Sequence, residues 1–303
     1  MVIISAVICT YNRCDRLSYA LEALTKQSLP GDRWEVIVID NASTDGTKAL
    51  CDRYAGQFTN VVYVYEPILG LSRARNRAIE VAQGEYIAYL DDDAIPCAGW
   101  LQAILNCFQT VQPQPVGMGG PIAGLWEIPR PAWLSDHLAA YYTVLDYGDQ
   151  SDWFAPGCYP YGANMAYLKR AIAEAGGFSE ELGRKGNNLL SMEELLLHRS
   201  LQSKGGKFYY CAEAGVKHWV SKERINRAWL LERADWQGIS DAIADDLLGK
   251  GMGQRRLASL FKFRYLLTLF LPNEGWRMTA RVELKRGWSH FIHTWWFTEL
   301  DRV

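Results

Sequence analysis

Tyr86-Ile87-Ala88-Tyr89-Leu90-Asp91-Asp92-Asp93 is an apolar run that passes without a linker into three consecutive carboxylates. A run of this length and composition reads as a strand buried on both faces, the kind found inside a parallel sheet. Carboxylates gathered at its carboxyl end repel one another and cost stability unless a cation or hydrogen bonds offset them. The natural partner is a hard divalent ion, Mg²⁺ or Mn²⁺, shared with the phosphate oxygens of a substrate. The triplet therefore marks both the edge of a sheet and a candidate site.

Working outward from it, strand and helix patterns alternate. Val2–Cys9 is a β-branched run, and Asp15–Ser28 carries Leu17, Ala20, Leu21 and Leu24 at helical spacing with Asp15 as its N-cap. Trp34–Asp40 repeats the strand pattern and ends in the turn-rich segment Asn41-Ala-Ser-Thr-Asp-Gly46, after which Thr47–Phe58 reads as a helix. Asn60–Glu66, Leu71–Gln83 and Glu85–Leu90 supply strand, helix and strand. This alternation predicts a mostly parallel α/β sheet with ligands at the carboxyl ends of its strands. From Gly117 to Pro160 the pattern dissolves into Gly, Pro and aromatic residues, a composition suited to binding loops. Helices are predicted near Lys169–Ala175 and Ser191–Ser203, a strand near Lys207–Cys211, and helices throughout the stretch beyond Ser221.

With 303 residues, 49% of them hydrophobic, the chain can bury a core large enough for an enzyme with its own cleft. A formal net charge of −2 gives no global reason to expect nucleic acid as a partner. The seven cysteines are scattered, with no paired spacing that would hold zinc, and read as reduced thiols of a cytoplasmic protein.

Four segments occur here in the order seen in family 2 glycosyltransferases: Ala6-Val-Ile-Cys-Thr-Tyr-Asn-Arg13, Val38-Ile-Asp-Asn-Ala-Ser-Thr-Asp-Gly-Thr47, Gly70-Leu-Ser-Arg-Ala-Arg-Asn76 and Tyr89-Leu-Asp-Asp-Asp93. The chain resembles that family over residues 1–220. The resemblance implies a GT-A fold over 1–220, with a donor half over about 1–120, an acceptor half over about 121–220 and a helical extension over 221–303. It implies an inverting, metal-dependent transfer of sugar from a nucleoside diphosphate donor, UDP for preference, to an acceptor hydroxyl in polysaccharide or glycolipid synthesis.

On the donor side the resemblance points to Thr10, Tyr11, Asn12, Arg13 and Asp40 for the nucleotide. A carboxylate at Asp40 can accept the N3–H of uracil, and Tyr11 offers an aromatic face. Arg75 matches the arginine that meets the pyrophosphate, a task suited to a permanently charged fork of donors. Asp91 and Asp93 match the DxD pair: Asp93 and Asp91 are assigned to the metal, and Asp91 and Asp92 also to the nucleotide side, with Asp92 the least engaged of the three. His218, in Gly215-Val-Lys-His-Trp219, falls where relatives complete the metal site, and a neutral imidazole suits Mn²⁺.

On the acceptor side, Tyr161-Gly-Ala-Asn-Met-Ala166 and Glu174-Ala-Gly-Gly-Phe178 resemble segments that line the sugar and acceptor cleft, which singles out Gly162 and Asn164. Gly162 and Gly177 allow close backbone approach. Ser191-Met-Glu-Glu-Leu-Leu-Leu-His-Arg199 stands where the family has its catalytic Asp but carries none. Counting from Ser191 makes Glu194 the general base, and counting back from Arg199 makes it Glu193; Glu194 is preferred.

The stretch from Gln254 to Trp288 is cationic, with Arg255, Arg256, Lys262, Arg264, Arg277, Arg281, Lys285 and Arg286 against Glu274 and Glu283. Leu284, Trp288, Phe291, Ile292 and Trp295 fall on one helical stripe, and Arg281, Lys285, Ser289 and His293 on another. That is the pattern of a helix lying in a membrane interface. The same stripe equally suits docking on the catalytic domain. The expected location is cytoplasmic, peripheral on the inner face of the membrane, where a glycan or lipid-linked acceptor is at hand. Two other readings remain: a sugar nucleotidyltransferase, whose Gly-rich, basic first loop Thr10-Tyr-Asn-Arg13 does not reproduce, and a non-catalytic nucleotide-sugar-binding protein.

Overall fold

Strand β1 (Ile4–Thr10) is buried along nearly its whole length, as an apolar strand must be when both its faces are covered. It lies between β2 (Trp34–Asp40) and β4 (Tyr86–Asp91), parallel to both, and β3 (Val61–Tyr65) extends the parallel set beyond β2. A computed structural model of the chain describes residues 1–186, 188–251, 253–255, 257, 262–270 and 272–294. It divides into two compact units: residues 1–125, 143–180 and 197–219, and residues 126–142, 181–196 and 220–303. The second unit takes in the expected extension 221–303 together with two earlier segments.

In the first unit, helices α1 (Cys14–Thr25), α2 (Thr47–Gln57), α3 (Leu71–Val81) and α4 (Trp100–Thr110) connect or flank the strands. Leu17, Ala20, Leu21 and Leu24 of α1 are buried, the spacing that places them on one face. Asp15 is not the N-cap of α1. The helix begins one residue earlier, and the Cys14 N–H donates to the carboxylate of Asp45 at 3.0 Å, so the cap comes from the next loop along the sheet.

The irregular stretch after Gly117 contains strands too short to show a period: β6 (Gly117–Gly119), β7 (Ile122–Trp126) and β8 (Asp152–Trp153), preceded by β5 (Ala94–Pro96). With β9 (Asn164–Leu168), β10 (Phe208–Tyr210) and β11 (Val216–Val220) they complete a sheet of order β3-β2-β1-β4-β9-β6-β10-β8 and a second of order β5-β11-β7. Strand β9 runs antiparallel to β4 and to β6, which ends the parallel run of the first four strands, and β6 and β10 pair in parallel beyond it. Buried residues of β1, β2, β4, α1 and α4 form one apolar layer, and those of α3, β9 and Phe178 another.

Further α-helices among the described residues include α5 (Asp136–Ala139), α6 (Lys169–Glu174), α7 (Glu193–Ser203), α8 (Arg227–Leu247) and α9 (Glu274–Ile292), with 3-10 turns at Ala140–Tyr142 and Lys262–Phe270. Within the second unit, Asn226 caps α8 by accepting from the Trp229 N–H and Asn273 caps α9 by accepting from the Trp276 N–H. Lys285 pairs with Asp235 at 2.9 Å, Arg286 takes both oxygens of Asp241, and His290 faces Asp245 at 3.3 Å, so α8 and α9 run side by side in the same direction. This changes the reading of the α9 stripes. Lys285 and Ser289, expected on a solvated polar stripe, belong to the side that meets α8, where Ser289 and His290 are buried. Trp288 remains half exposed, while Arg256 and Trp295 lie outside the described residues. Among the described residues no helix is long and apolar enough to cross a membrane.

Gly238 is what lets the two helices approach. A Cβ there would lie 2.3 Å from the carbonyl oxygen of Arg286, a backbone atom that cannot step aside. Overpacking of this kind costs about 1–3 kcal/mol. Gly238→Ala is expected to lower the thermal midpoint by several degrees in scanning calorimetry, and a variant melting like the wild type would show that α8 and α9 do not need this contact.

Candidate active site

The parallel register brings the polar strand ends together: Thr10 pairs with Asp40 across β1 and β2, and Cys9 with Asp91 across β1 and β4. The loop after β1 then turns back over the acidic triplet. The Thr10 hydroxyl donates to Asp92 at 2.8 Å, and Arg13 Nη1 bridges Asp92 at 3.0 Å and Asp93 at 2.7 Å. Far from being the least engaged carboxylate, Asp92 is only 6% exposed and anchors the loop.

A second element arrives from β11, which pairs antiparallel with β5 and sets His218 opposite Ala94. The Trp219 N–H donates to the Asp93 carbonyl at 2.8 Å, and His218 Nε2 stands 3.1 Å from Asp93 Oδ1. One ligand atom each from Asp91, Asp93 and His218 lie within 4.8 Å of one another. Two carboxylates and an imidazole at that separation fit a divalent metal. Arg75 approaches from α3: buried, with Nη2 3.9 Å from Asp91 Oδ1 and its guanidinium 5.3 Å from the Phe178 ring. The Tyr89 hydroxyl fixes its backbone by donating to the Arg75 carbonyl at 3.0 Å.

The other candidates sort into engaged and open groups. Tyr11 is exposed. Asn12 sits in the left-handed region at φ 52° and locks the neighbouring turn: its N–H donates to Ser43 Oγ at 2.9 Å and its Oδ1 accepts from the Thr44 N–H at 2.7 Å. Asp40 is buried, accepting from the Ser43 N–H at 2.9 Å and from the Tyr63 hydroxyl at 2.8 Å. Tyr63 escaped the sequence reading, since only pairing of β2 with β3 shows that it reaches Asp40.

Gly162 is buried, and so is Asn164, whose amide works as a bracket. It accepts from the Trp100 indole N–H at 2.9 Å and donates to the Ala214 and Pro121 carbonyls at 2.7 and 3.3 Å. In this structure Asn164 ties β9 to Pro121 and to the chain ahead of β11. Gly177 has φ 74°, and its close approach is to Asn76, whose amide clasps the Phe178 backbone through bonds of 2.8 and 2.9 Å. Glu193 and Glu194 open α7 in a segment of the second unit, just after Met192 at φ 82°; Glu193 is 2% exposed and Glu194 half buried.

Burial pushes the Asp92 carboxyl up to about 6, with the Arg13 charge beside it opposing the shift. Between its unfolded value near 4 and about 6 the native state holds a proton that the unfolded chain has lost, so this group's contribution falls as pH rises through that window and stays low above it.

Known proteins with similar sequences and folds bear on this arrangement. The profile of "Glycosyl transferase family 2" matches residues 5–172. A glucosyl-dolichyl phosphate glucuronosyltransferase of Haloferax volcanii is 25% identical over 250 residues, 80% of this chain and 77% of that one. Among solved structures, the mannosyltransferase PcManGT from Pyrobaculum calidifontis, in complex with GDP-Man and Mn²⁺, superposes with a TM-score of 0.61 at 19% identity over 97% of this chain and 87% of that one. TarS residues 1–349 from S. aureus in complex with UDP gives 0.56 at 15% identity over 96% and 91%. The architecture is therefore GT-A, with C-terminal helices following the sheet.

In metal-free protein Asp92→Asn is expected to raise the thermal midpoint at neutral pH, with the gain vanishing below about pH 4, where both variants are uncharged at this position. A variant less stable than wild type at neutral pH would show that the bridge to Arg13 outweighs the cost of burying the charge.

Proposed function

From the premise that this chain belongs to glycosyl transferase family 2 and transfers sugar from a nucleotide-sugar donor, we propose that it is an inverting enzyme that uses a divalent metal and UDP-sugar and serves polysaccharide or glycolipid synthesis. The observation that carries this reading is the convergence of Asp91, Asp93 and His218 at the end of β4. Those three residues would hold Mn²⁺ or Mg²⁺, which when bound supplies Lewis-acid neutralisation of the departing diphosphate. Arg75 and Arg13 add fixed positive charge on the same side. The choice of UDP rests on Asp40, which would share its carboxylate between Tyr63 and the uracil N3–H, and on the exposed ring of Tyr11. The solved relatives carry GDP-Man in one case and UDP in another, so the base is open to test.

On this reading a Glu takes the proton from the acceptor hydroxyl, and its oxygen attacks the anomeric carbon in line. The bond from that carbon to the diphosphate breaks, leaving the nucleoside diphosphate and an inverted configuration. Glu194 is the preferred base because it is the more exposed of the pair, and Glu193 is the alternative. Asp93→Asn is expected to abolish Mn²⁺-dependent binding of UDP in calorimetry. Glu194→Gln, or failing it Glu193→Gln, should slow transfer by about 10²–10⁴-fold while leaving donor binding intact. Tighter binding of GDP than of UDP would overturn the choice of base, and undiminished transfer by both Gln variants would remove the general-base assignment.

We place the enzyme peripherally on a membrane surface through α9. Trp276 is 61% exposed and Trp288 50% exposed, with Phe291 stacked on Trp288 at 5.9 Å, and Arg281 is exposed on the same helix. Aromatic burial in the interface would persist at high salt, whereas attraction to anionic lipid would weaken. Flotation with anionic vesicles should fall markedly for Trp276→Ala/Trp288→Ala; absence of flotation by the wild type at low salt would end the membrane reading.

A further inference from the structure

Arg13 is bonded to one of the carboxylates on which a divalent ion would depend. Its Nη1 donates to Asp93 Oδ2 at 2.7 Å and to Asp92 Oδ1 at 3.0 Å. Asp93 Oδ1, the other oxygen, stands 3.1 Å from His218 Nε2. Asp93 thus belongs to the Asp91, Asp93 and His218 group and is at the same time the acceptor of Arg13. The Arg13 side chain is 32% exposed and that of Asp91 33%, so solvent and its ions reach the group. Asp92 is held differently: the Thr10 hydroxyl donates to Oδ2 at 2.8 Å, which leaves Oδ1 as a fixed anchor for Arg13.

An ion held by Asp91, Asp93 and His218 draws on the same carboxylate as Arg13. The guanidinium cannot step aside by losing its proton, since it keeps its charge at any ordinary pH. Three carboxylates here face two guanidinium groups, those of Arg13 and Arg75. A divalent ion arriving alone would reverse the sign of the place and be repelled by the charge already bonded to Asp93. A nucleoside diphosphate arriving with it restores the negative charge. We infer that Arg13 is a built-in competitor of the metal, which keeps the affinity of Asp93 for a divalent cation low and so couples entry of the metal to entry of the nucleoside diphosphate. Arg13 gives up Asp93 at that point and keeps Asp92, and its N–H groups released from Asp93 turn to diphosphate oxygens. This rests on the metal and donor reading proposed above and adds to it the residue that makes one ligand depend on the other.

The test is calorimetric titration of the full chain with Mn²⁺, first without nucleotide and then with saturating UDP or GDP. Wild type should bind Mn²⁺ weakly alone and at least about tenfold more tightly with a nucleoside diphosphate. Arg13→Gln should bind Mn²⁺ alone at least about tenfold more tightly than wild type and lose most of that coupling. Arg13→Lys, which keeps a charge in the loop, should stay closer to wild type than to Arg13→Gln. Lys217→Gln removes the same charge from an exposed position beside His218 and should change the affinity by less than about threefold, since solvent screens it. Because Arg13→Gln leaves the buried Asp92 without its cation, the comparison is repeated in an Asp92→Asn background, where adding Arg13→Gln should again tighten Mn²⁺ binding. A merely structural Arg13 would lower the thermal midpoint when replaced and leave the Mn²⁺ affinity unchanged or reduced in both backgrounds. That result, or an equal gain from Lys217→Gln, overturns the inference. Binding of Mn²⁺ with nucleotide by wild type, beside an unchanged affinity in Arg13→Gln, removes the role of Arg13 alone; no Mn²⁺ binding by wild type with either nucleotide removes the metal reading and this inference together.

Discussion

Three carboxylates in succession at the end of a buried strand are the constraint around which the first unit is organised. Two of them, Asp92 and Asp93, are buried, so solvent cannot screen their repulsion. Every element that reaches this point brings either positive charge or a hydrogen-bond donor: Thr10 and Arg13 from the loop after β1, Arg75 from α3, His218 from β11. The remaining coordination capacity, on Asp91, Asp93 and His218, is what makes the place suitable for a metal ion. The structural ion pairs and the chemistry thus have one origin, the electrostatic demand of the same few atoms.

That demand is why the carboxyl end of the parallel strands was legible in the sequence. Apolar runs such as Trp34–Asp40 and Tyr86–Leu90 end in acidic residues, and a parallel sheet forces such ends into one row. Legibility failed where the deciding partner is remote along the chain. Asp15 lies beside the start of α1, but the cap comes from Asp45, and nothing near Asp92 reveals that Thr10 and Arg13 will hold it. Asn164 illustrates the same limit from the other side. The bonds from its amide to Trp100 and Ala214 join residues 64 and 50 positions away, which no local pattern announces.

In the second unit, amphipathic patterning was the only signal available, and α9 carries two overlapping patterns. Its partner α8 supplies Asp235, Asp241 and Asp245 at intervals that meet Lys285, Arg286 and His290, so a charged residue in α9 is no guide to solvent. Helical spacing alone cannot distinguish an ion-paired helix face from a solvated one. Arg233 stands apart from this ladder, bonded to neutral groups on a helix whose Asp235, Asp241 and Asp245 are matched elsewhere. Its oddity is visible only once those partners are accounted for.

The loops after β1 and β2 are joined by Asn12 to Ser43 and Thr44 and by Cys14 to Asp45. Because these bonds share one small network, a change at Asn12 alters what a change at Ser43 or Asp45 will do, and their effects will not add. The two loops therefore answer to change as one unit: the cost of a substitution in one depends on which residues stand in the other, although some thirty residues of chain separate them.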